Sequence, residues 1–187
     1  MTLLSREEAV ERRTALRQSE ADVVFTNGCF DLIHPGHVHL LKEARSRGGY
    51  LIVGLNSDRS VKAIKSNNRP IMEETDRAYV INALESVDDV VLFDEETPLE
   101  LIQALEPDVL VKGADYEVEE IVGADVVLDS GGEVHRVELR EGYGTSEIIN
   151  VILSGEIDGY SHHRRRYLCY SRSLGFHTVS GQGDSGD

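Results

Sequence analysis

The sequence is poor in several features that would each point to a particular class of protein. Its two cysteines, Cys29 and Cys169, lie in dissimilar contexts, which argues against a disulfide framework and favours a reducing compartment. The amino terminus becomes charged after two leucines, so it lacks the apolar core of a signal peptide. No apolar run approaches the roughly 18–20 residues that a bilayer-spanning helix needs. We therefore expect a soluble, cytoplasmic protein without a membrane partner.

Basic residues are also scarce. The chain has 19 lysines and arginines against 34 aspartates and glutamates, a net charge of −15. Binding to a nucleic acid duplex depends on clustered basic side chains, so no nucleic acid partner is expected. A small anionic substrate remains compatible with this charge if the cations are gathered locally. The acidic excess fits a solubilising surface, with adaptation to high salt as the alternative.

Two common phosphate-binding motifs are missing. The sequence contains no G-x-x-x-x-G-K-[ST] motif, and no G-x-G-x-x-G follows its first predicted strand. These absences exclude a P-loop NTPase and an ordinary dinucleotide-dependent oxidoreductase.

The pattern of apolar runs predicts one α/β domain. Short β-rich runs alternate with helical segments, which is typical of a parallel sheet covered on both faces. We predict an amino-terminal helix within 1–20, a main domain over 21–159, and a mostly disordered tail over 160–187 that contains an arginine run and a Gly/Ser-rich end. The predicted strands are 23–26, 50–55, 89–93, 109–111, 125–128 and 134–139, and the predicted helices are 5–18, 37–47, 75–86, 98–105, 116–122 and 146–154.

The most informative segment is His34-Pro35-Gly36-His37, which follows the first predicted strand. Proline suits the first turn of a helix, and glycine lets a phosphate approach the backbone. Because residues three apart share one helical face, both imidazoles can point at one anion beside the helix amino terminus. Two alternatives remain open: two histidines with unrelated structural roles, and a zinc site that would add Cys29 and His39.

A second segment gathers positive charge. Arg59, Lys62, Lys65 and Arg69 occur between Asp58 and Glu73 without an intervening acidic residue. In so acidic a chain this stretch predicts a local anion site, with a solvated loop or helix face as the alternative.

Together these motifs resemble the cytidylyltransferase-like nucleotidyltransferase superfamily and, within it, the heptose 1-phosphate adenylyltransferases. The resemblance runs over about residues 22–152 and implies a Rossmann-like, three-layer α/β fold with a parallel sheet and an HxGH motif. The segments that carry it are Asn27-Gly28-Cys29-Phe30-Asp31, the His34–His37 motif, 51–58, Arg69-Pro70-Ile71, Asp76-Arg77-Ala78, 87–93, 107–116 and 131–134.

The resemblance also implies roles for individual residues. The catalytic residues would be His34, His37 and Lys65. Nucleotide binding would involve Thr26, Asn27, Gly28, Cys29, Phe30, Gly36, Lys112, Gly113, Thr145 and Ser146, and substrate binding would involve Asp31, Asn56, Asp58, Arg69, Arg77 and Asp115. No protein ligand for a metal is implied.

The implied reaction transfers AMP from ATP to a heptose 1-phosphate, giving ADP-heptose and pyrophosphate. The resemblance further implies Mg²⁺ as cofactor and a homodimer. Since about 20 residues precede the first predicted strand, a heptose kinase is expected to be a separate protein. Three alternatives stay open: transfer from CTP to glycerol 3-phosphate, transfer from ATP to FMN, and a non-catalytic nucleotide sensor.

The chain departs from the family near its last predicted helix. The family usually has a Ser-Thr-Thr run there, whereas this sequence reads Gly144-Thr145-Ser146-Glu147. Two hydroxyls remain in register, and a carboxylate follows them. The backbone N–H groups of the helix amino terminus can still bind phosphate.

Overall fold

The computed structural model describes residues 2–114, 117–138 and 142–154. The predicted tail lies outside these residues. The elements in chain order are β1 (Thr2–Leu4), α1 (Arg6–Gln18), β2 (Val23–Gly28), α2 (Pro35–Arg45), β3 (Tyr50–Asn56), α3 (Asp58–Ile64), α4 (Glu74–Asn82), β4 (Asp89–Phe93), α5 (Leu99–Leu105), β5 (Val109–Gly113), a 3₁₀ turn (Val118–Glu120), α6 (Ala124–Asp129), β6 (Glu133–Val137) and α7 (Thr145–Ser154).

The chain forms two compact units, residues 1–145 and residues 146–187. The first contains the whole sheet, and the described part of the second consists of most of α7, which begins at Thr145. The predicted domain limits at 21, 159 and 160 stay predictions. Within the described ranges, no helix combines the length and the apolar character needed to cross a membrane.

Among the described residues, the sheet has six strands in the order β1-β4-β3-β2-β5-β6, and each of their pairings is parallel. This confirms the predicted Rossmann-like parallel sheet. From β2 the chain builds β3 and β4 on one side and then crosses back to β5 and β6 on the other. In such sheets ligands bind outside the carboxyl ends of the strands at this reversal, which here lies between β2 and β5.

The two faces of the sheet pack into separate apolar clusters, which gives the three layers. Successive residues of β2 alternate between them, since Phe25 belongs to the cluster under α1, α5 and α6 and Val24 to the cluster under α2 and α4. Ile102 and Leu41 are fully buried examples from the two helical layers. Strands buried on both faces explain why their sequences read as continuous apolar runs.

One predicted strand, 125–128, was wrong. These residues lie in α6, which begins after Gly123 in a left-handed conformation (φ 84°). Ala124 and Val127 are buried three residues apart while Leu128 is 50% exposed, a helical pattern. A short apolar run has the same composition in a buried strand and in a buried helix, so its sequence did not distinguish them.

Two short elements were not predicted. The first is β1, which extends the sheet by pairing Thr2 with Asp89 and Leu4 with Val91. The second is α3, whose seven residues begin after the Ser57 cap. The predicted helix 116–122 is reduced in its described part to the 3₁₀ turn Val118–Glu120.

An ion pair holds α1 against the sheet near the amino ends of β2 and β5, at the edge opposite the reversal point. Arg13 is 5% exposed and donates to the carbonyls of Leu105 and Glu106 and to Asp108 Oδ1 at 2.7 Å. The other carboxylate oxygen of Asp108 accepts the N–H of Val23 at 2.7 Å. One carboxylate therefore joins α1, the start of β2 and the turn before β5.

Substitution of Gly54 in β3 would test how tightly the apolar cluster around Phe25 is packed. A Cβ at position 54 would lie 2.6 Å from Cζ of Phe25, whose side chain is fully buried. Gly54→Ala should therefore lower the free energy of unfolding by about 2 kcal/mol, the usual cost of overpacking. Gly49→Ala is the matched control, because its Cβ would meet nothing closer than 3.7 Å. Equal melting temperatures for the two variants would contradict this packing.

Candidate active site

The carboxyl end of β2 leads through a short loop to the amino terminus of α2, where the two predicted catalytic histidines lie together. His34 caps the helix in an extended conformation, and Pro35 occupies the first helical turn. The rings of His34 and His37 stack with their centroids 3.7 Å apart and their planes at 22°. The N–H of His37 points at His34 Nδ1 over a long 3.4 Å, which places the proton of a neutral His34 on Nε2.

The environment of His37 keeps its ring neutral. Burial is the main cause that lowers its pKa from 6.5 to about 4, the neighbouring His34 acts in the same direction, and the backbone of Leu32 opposes them. Phe30 adds an apolar edge-on contact with the centroids 5.0 Å apart. His37 Nδ1 is buried and has no hydrogen-bond partner among the described residues.

Two further polar atoms at the end of β2 are buried without a partner in the described chain, namely Thr26 Oγ1 and Asn27 Oδ1. An unsatisfied buried polar group costs about 1–3 kcal/mol, so native proteins rarely leave several together. Lys112, at the end of β5, donates its Nζ to the Asn27 carbonyl at 3.3 Å. The reversal point therefore combines unused polar atoms, a lysine and a helix amino terminus, which suits a polar anionic ligand.

The glycines of the motif are required for close packing. A Cβ on Gly36 would lie 3.0 Å from His34 Nδ1 and 3.5 Å from Cβ of Tyr143. The sequence interpretation attributed Gly36 to the approach of a phosphate, and that role stays a prediction; in the structure the His34 ring lies beside this position. Phe30, with φ 45°, folds its ring back to 3.1 Å from the Cβ position of Gly28. Tyr143 was not predicted from the sequence, which carried no signal for it.

The predicted substrate-binding residues Asp31, Arg69 and Arg77 contact other parts of the protein. Asp31 is 1% exposed and accepts from Arg69 Nε at 2.5 Å. Arg77 is fully buried, with its guanidinium bonded to protein oxygens at all three nitrogens. One of these oxygens belongs to Asp58, and Asn56 donates to Ser60 Oγ at 2.9 Å. Their role in substrate binding stays a prediction.

Cys29 lies within the field of these basic side chains. Burial raises the pKa of its thiol, while the charges of Lys65, Arg77 and Arg69 oppose that shift. The thiol is therefore protonated near neutral pH and a weak nucleophile. Lys65 follows the last residue of α3 and is exposed.

Residues 25–151 match the family described as cytidylyltransferase-like. The chain belongs to this family. Its relatives include the bifunctional protein HldE of Azorhizobium caulinodans, 54% identical over 147 residues, which are 79% of this chain and 31% of that protein. HldE of Gluconobacter oxydans is 59% identical over 129 residues, 69% of this chain and 27% of that protein. This chain thus spans less than a third of these relatives.

A solved structure agrees with this membership. The lipopolysaccharide core biosynthesis protein of Thermoplasma volcanium superposes with a TM-score of 0.53 at 28% identity, covering 66% of this chain and 99% of that one.

For the other predicted binding residues of this cytidylyltransferase-like chain, the structure gives mainly their positions and few contacts. Gly113 ends β5, and Thr145 Oγ1 donates to the Leu32 carbonyl at 3.4 Å. Ser146 is an exposed residue in the first turn of α7, within the second compact unit. Asp115 lies outside the described residues.

A cleft of about 450 Å³ adjoins His34 and was not predicted as part of the site. Its lining follows one face of α2, with a helical spacing that the sequence does contain. The lining residues are Ile33, His34, Pro35, Val38, His39 and Lys42. The described residues contain no group of three or more His, Cys, Asp or Glu side chains that could hold a metal ion, so the zinc alternative gains no support.

The low pKa of His37 predicts a pH-dependent stability. The folded protein favours the neutral ring, so this stabilisation is complete above pH 6.5 and is lost as the pH falls towards 4. Between pH 8 and pH 5 the unfolding free energy should drop by about 1–2 kcal/mol from this group. Denaturant unfolding of His37→Asn should lack that drop, while His135→Asn, a histidine on β6, should keep it. Identical pH profiles for wild type and His37→Asn would contradict the assignment.

Proposed function

We propose that this chain is a sugar-phosphate nucleotidyltransferase that joins the AMP moiety of ATP to a heptose 1-phosphate. The observation that carries the proposal is the stacked His34–His37 pair, set at the amino terminus of α2 where the parallel sheet reverses. Membership in the cytidylyltransferase-like family supports the reaction class. The HldE relatives and the resemblance of the motifs support the choice of acceptor.

The reaction requires placement and charge stabilisation rather than a protein nucleophile. An oxygen of the sugar 1-phosphate forms a bond to the α-phosphorus of ATP, and the bond from that phosphorus to the bridging oxygen breaks. Pyrophosphate leaves with the electron pair. The thiol of Cys29 is protonated and therefore a poor nucleophile, so this cysteine does not offer a covalent route.

The histidine pair would act on the triphosphate. His34, with its proton on Nε2, is arranged as a hydrogen-bond donor, and His37 is a neutral ring whose Nδ1 is unpaired. A bound phosphate would raise the pKa of the His37 imidazole, because an adjacent negative charge favours the protonated ring. Phosphate binding would thus be accompanied by proton uptake, and the resulting positive charge would lie beside the outer phosphates, where it would stabilise their negative charge. Lys65 and Lys112 would supply further positive charge.

Mg²⁺ would enter as a complex with ATP, because Mg²⁺ commonly keeps several waters while it binds phosphate oxygens. The proposal assigns the ion no protein ligand. A homodimer is part of the same proposal.

The alternative from another class is a nucleotide sensor. It is motivated by Gly144 and Glu147, which replace a hydroxyl and add a negative charge where the family usually has a Ser-Thr-Thr run. A sensor would bind ATP without releasing pyrophosphate.

One set of assays tests both the acceptor substrate and the base of the nucleotide. Pyrophosphate release would be measured with Mg²⁺ for ATP, CTP and GTP, each combined with heptose 1-phosphate, glycerol 3-phosphate and FMN. Turnover with ATP and heptose 1-phosphate alone is the expected result. Turnover with another pair would reassign the substrate, and nucleotide binding without any turnover would favour the sensor.

Replacing His37 tests the mechanism. His37→Ala should lower kcat about 100-fold or more, the usual loss when a preorganised transition-state donor is removed. His135→Ala, which removes an imidazole paired with Glu133 on β6, is the matched control and should retain wild-type turnover. Near-normal kcat in His37→Ala with an unchanged circular dichroism spectrum would overturn the role of the pair.

A further inference from the structure

The carboxylate of Asp31 is fully used in holding a distant segment of the chain. One oxygen accepts Nε of Arg69, and the other accepts the N–H groups of Ile71 at 2.7 Å and Met72 at 3.1 Å. Asp31 itself is in the loop between β2 and α2, and it is 1% exposed. A buried carboxylate with three donors on one short segment defines the position of that segment.

Arg77 fastens the same region from its other side. Its Nε donates to the Met72 carbonyl at 3.0 Å, one terminal nitrogen donates to the Cys29 carbonyl at 2.5 Å, and the other reaches Asp58 Oδ1 at 2.7 Å. The arginine is fully buried in α4. It therefore joins the start of α3, the end of the following loop and the loop after β2.

These contacts close the base of an excursion made by residues 58–72. The excursion leaves the sheet at Asp58, whose N–H also donates to Glu74 Oε2 at 2.8 Å, and it returns at Met72. Lys65 lies midway along it, after α3 ends and before an exposed stretch over 66–68. A lysine there has few local contacts to hold it, so its position depends on the base of the excursion.

Electrostatics agree with this geometry. Burial raises the pKa of the Cys29 thiol, and the charge of Lys65 opposes that rise. The charge of Lys65 therefore acts on the loop to which Arg77 binds.

We propose that Asp31 and Arg77 are positioning residues, which hold the 58–72 excursion so that Lys65 reaches the reacting phosphates. This inference rests on the proposed function. It would explain how Lys65 is held in position before the substrates bind. It also assigns Asp31, Arg69 and Arg77 to the construction of the site rather than to contact with the sugar. Six charge-assisted hydrogen bonds, three to Asp31 and three from Arg77, would thus serve to place one exposed cation.

The kinetic test is a double-mutant cycle between Asp31→Asn and Lys65→Ala. Asparagine keeps an oxygen for the backbone donors but loses the charge that pairs with Arg69. We expect Lys65→Ala to lower kcat about 100-fold and Asp31→Asn about 10-fold or more, with smaller changes in KM. In the Lys65→Ala background, Asp31→Asn should cost less than twofold, because the cation it positions is already absent. Losses that multiply in full would overturn the proposal.

A second measurement does not depend on turnover. Trypsin cleaves after Lys62 and Lys65, which are both exposed within the excursion, and we expect both cleavages in the native protein to become about tenfold faster in Asp31→Asn. The rates would be followed by mass spectrometry of the fragments under native conditions. Unchanged cleavage at both positions would overturn the proposal. Absence of turnover in the wild type combined with faster cleavage would instead refute the proposed function and leave the positioning of the excursion intact.

The matched control is Asp108→Asn at the opposite edge of the sheet. Asp108 also bonds an arginine through one oxygen and a backbone N–H through the other. Its replacement should lower the melting temperature while leaving kcat and the two cleavage rates at wild-type values. Arg77→Lys provides an independent variant, since it keeps the charge but cannot span three partners, and it should reproduce the cleavage pattern of Asp31→Asn.

Discussion

The parallel pairing of β2 with both β3 and β5 is the constraint on which the rest of this structure depends. Because the chain leaves β2 on one side and returns to β5 on the other, the helices that follow these strands diverge and leave an open edge between them. Thr26 and Asn27 lie near the carboxyl end of β2 at this edge, and each has a buried oxygen without a hydrogen-bond partner in the described chain. The amino terminus of α2 brings the histidine pair to the same place.

The strongly acidic chain gathers several cations at the candidate site, which would suit the proposed anionic ligand. Acidic residues predominate in the whole chain. The positive charges of Lys65, Arg69 and Arg77 nevertheless all influence the pKa of the Cys29 thiol. Two of these three are neutralised by carboxylates, Arg69 by Asp31 and Arg77 by Asp58. The histidine pair adds a reserve of positive charge, since His37 is neutral in the free protein and gains a proton most easily beside an anion.

Some of the fold and part of the site could be read from local sequence. The alternating apolar runs predicted the parallel sheet, since strands buried on both faces need them, and three-residue spacing predicted the shared face of His34 and His37. The run at 125–128 was misread because burial alone favours apolar residues in a strand and in a helix alike. β1 gave no signal because a three-residue edge strand is defined by its partner β4.

The parallel α/β class, the family and the HxGH segment follow from local sequence, because each depends on periodicity or on residues close along the chain. The contacts of the distant polar residues depend instead on the folded chain. Asp31 and Arg69 are 38 positions apart, and Arg77 and Cys29 are 48 apart, so only the folded chain reveals their bonds. The pKa of His37 likewise follows from burial and from its stacked neighbour, two properties that exist only after the layers have packed.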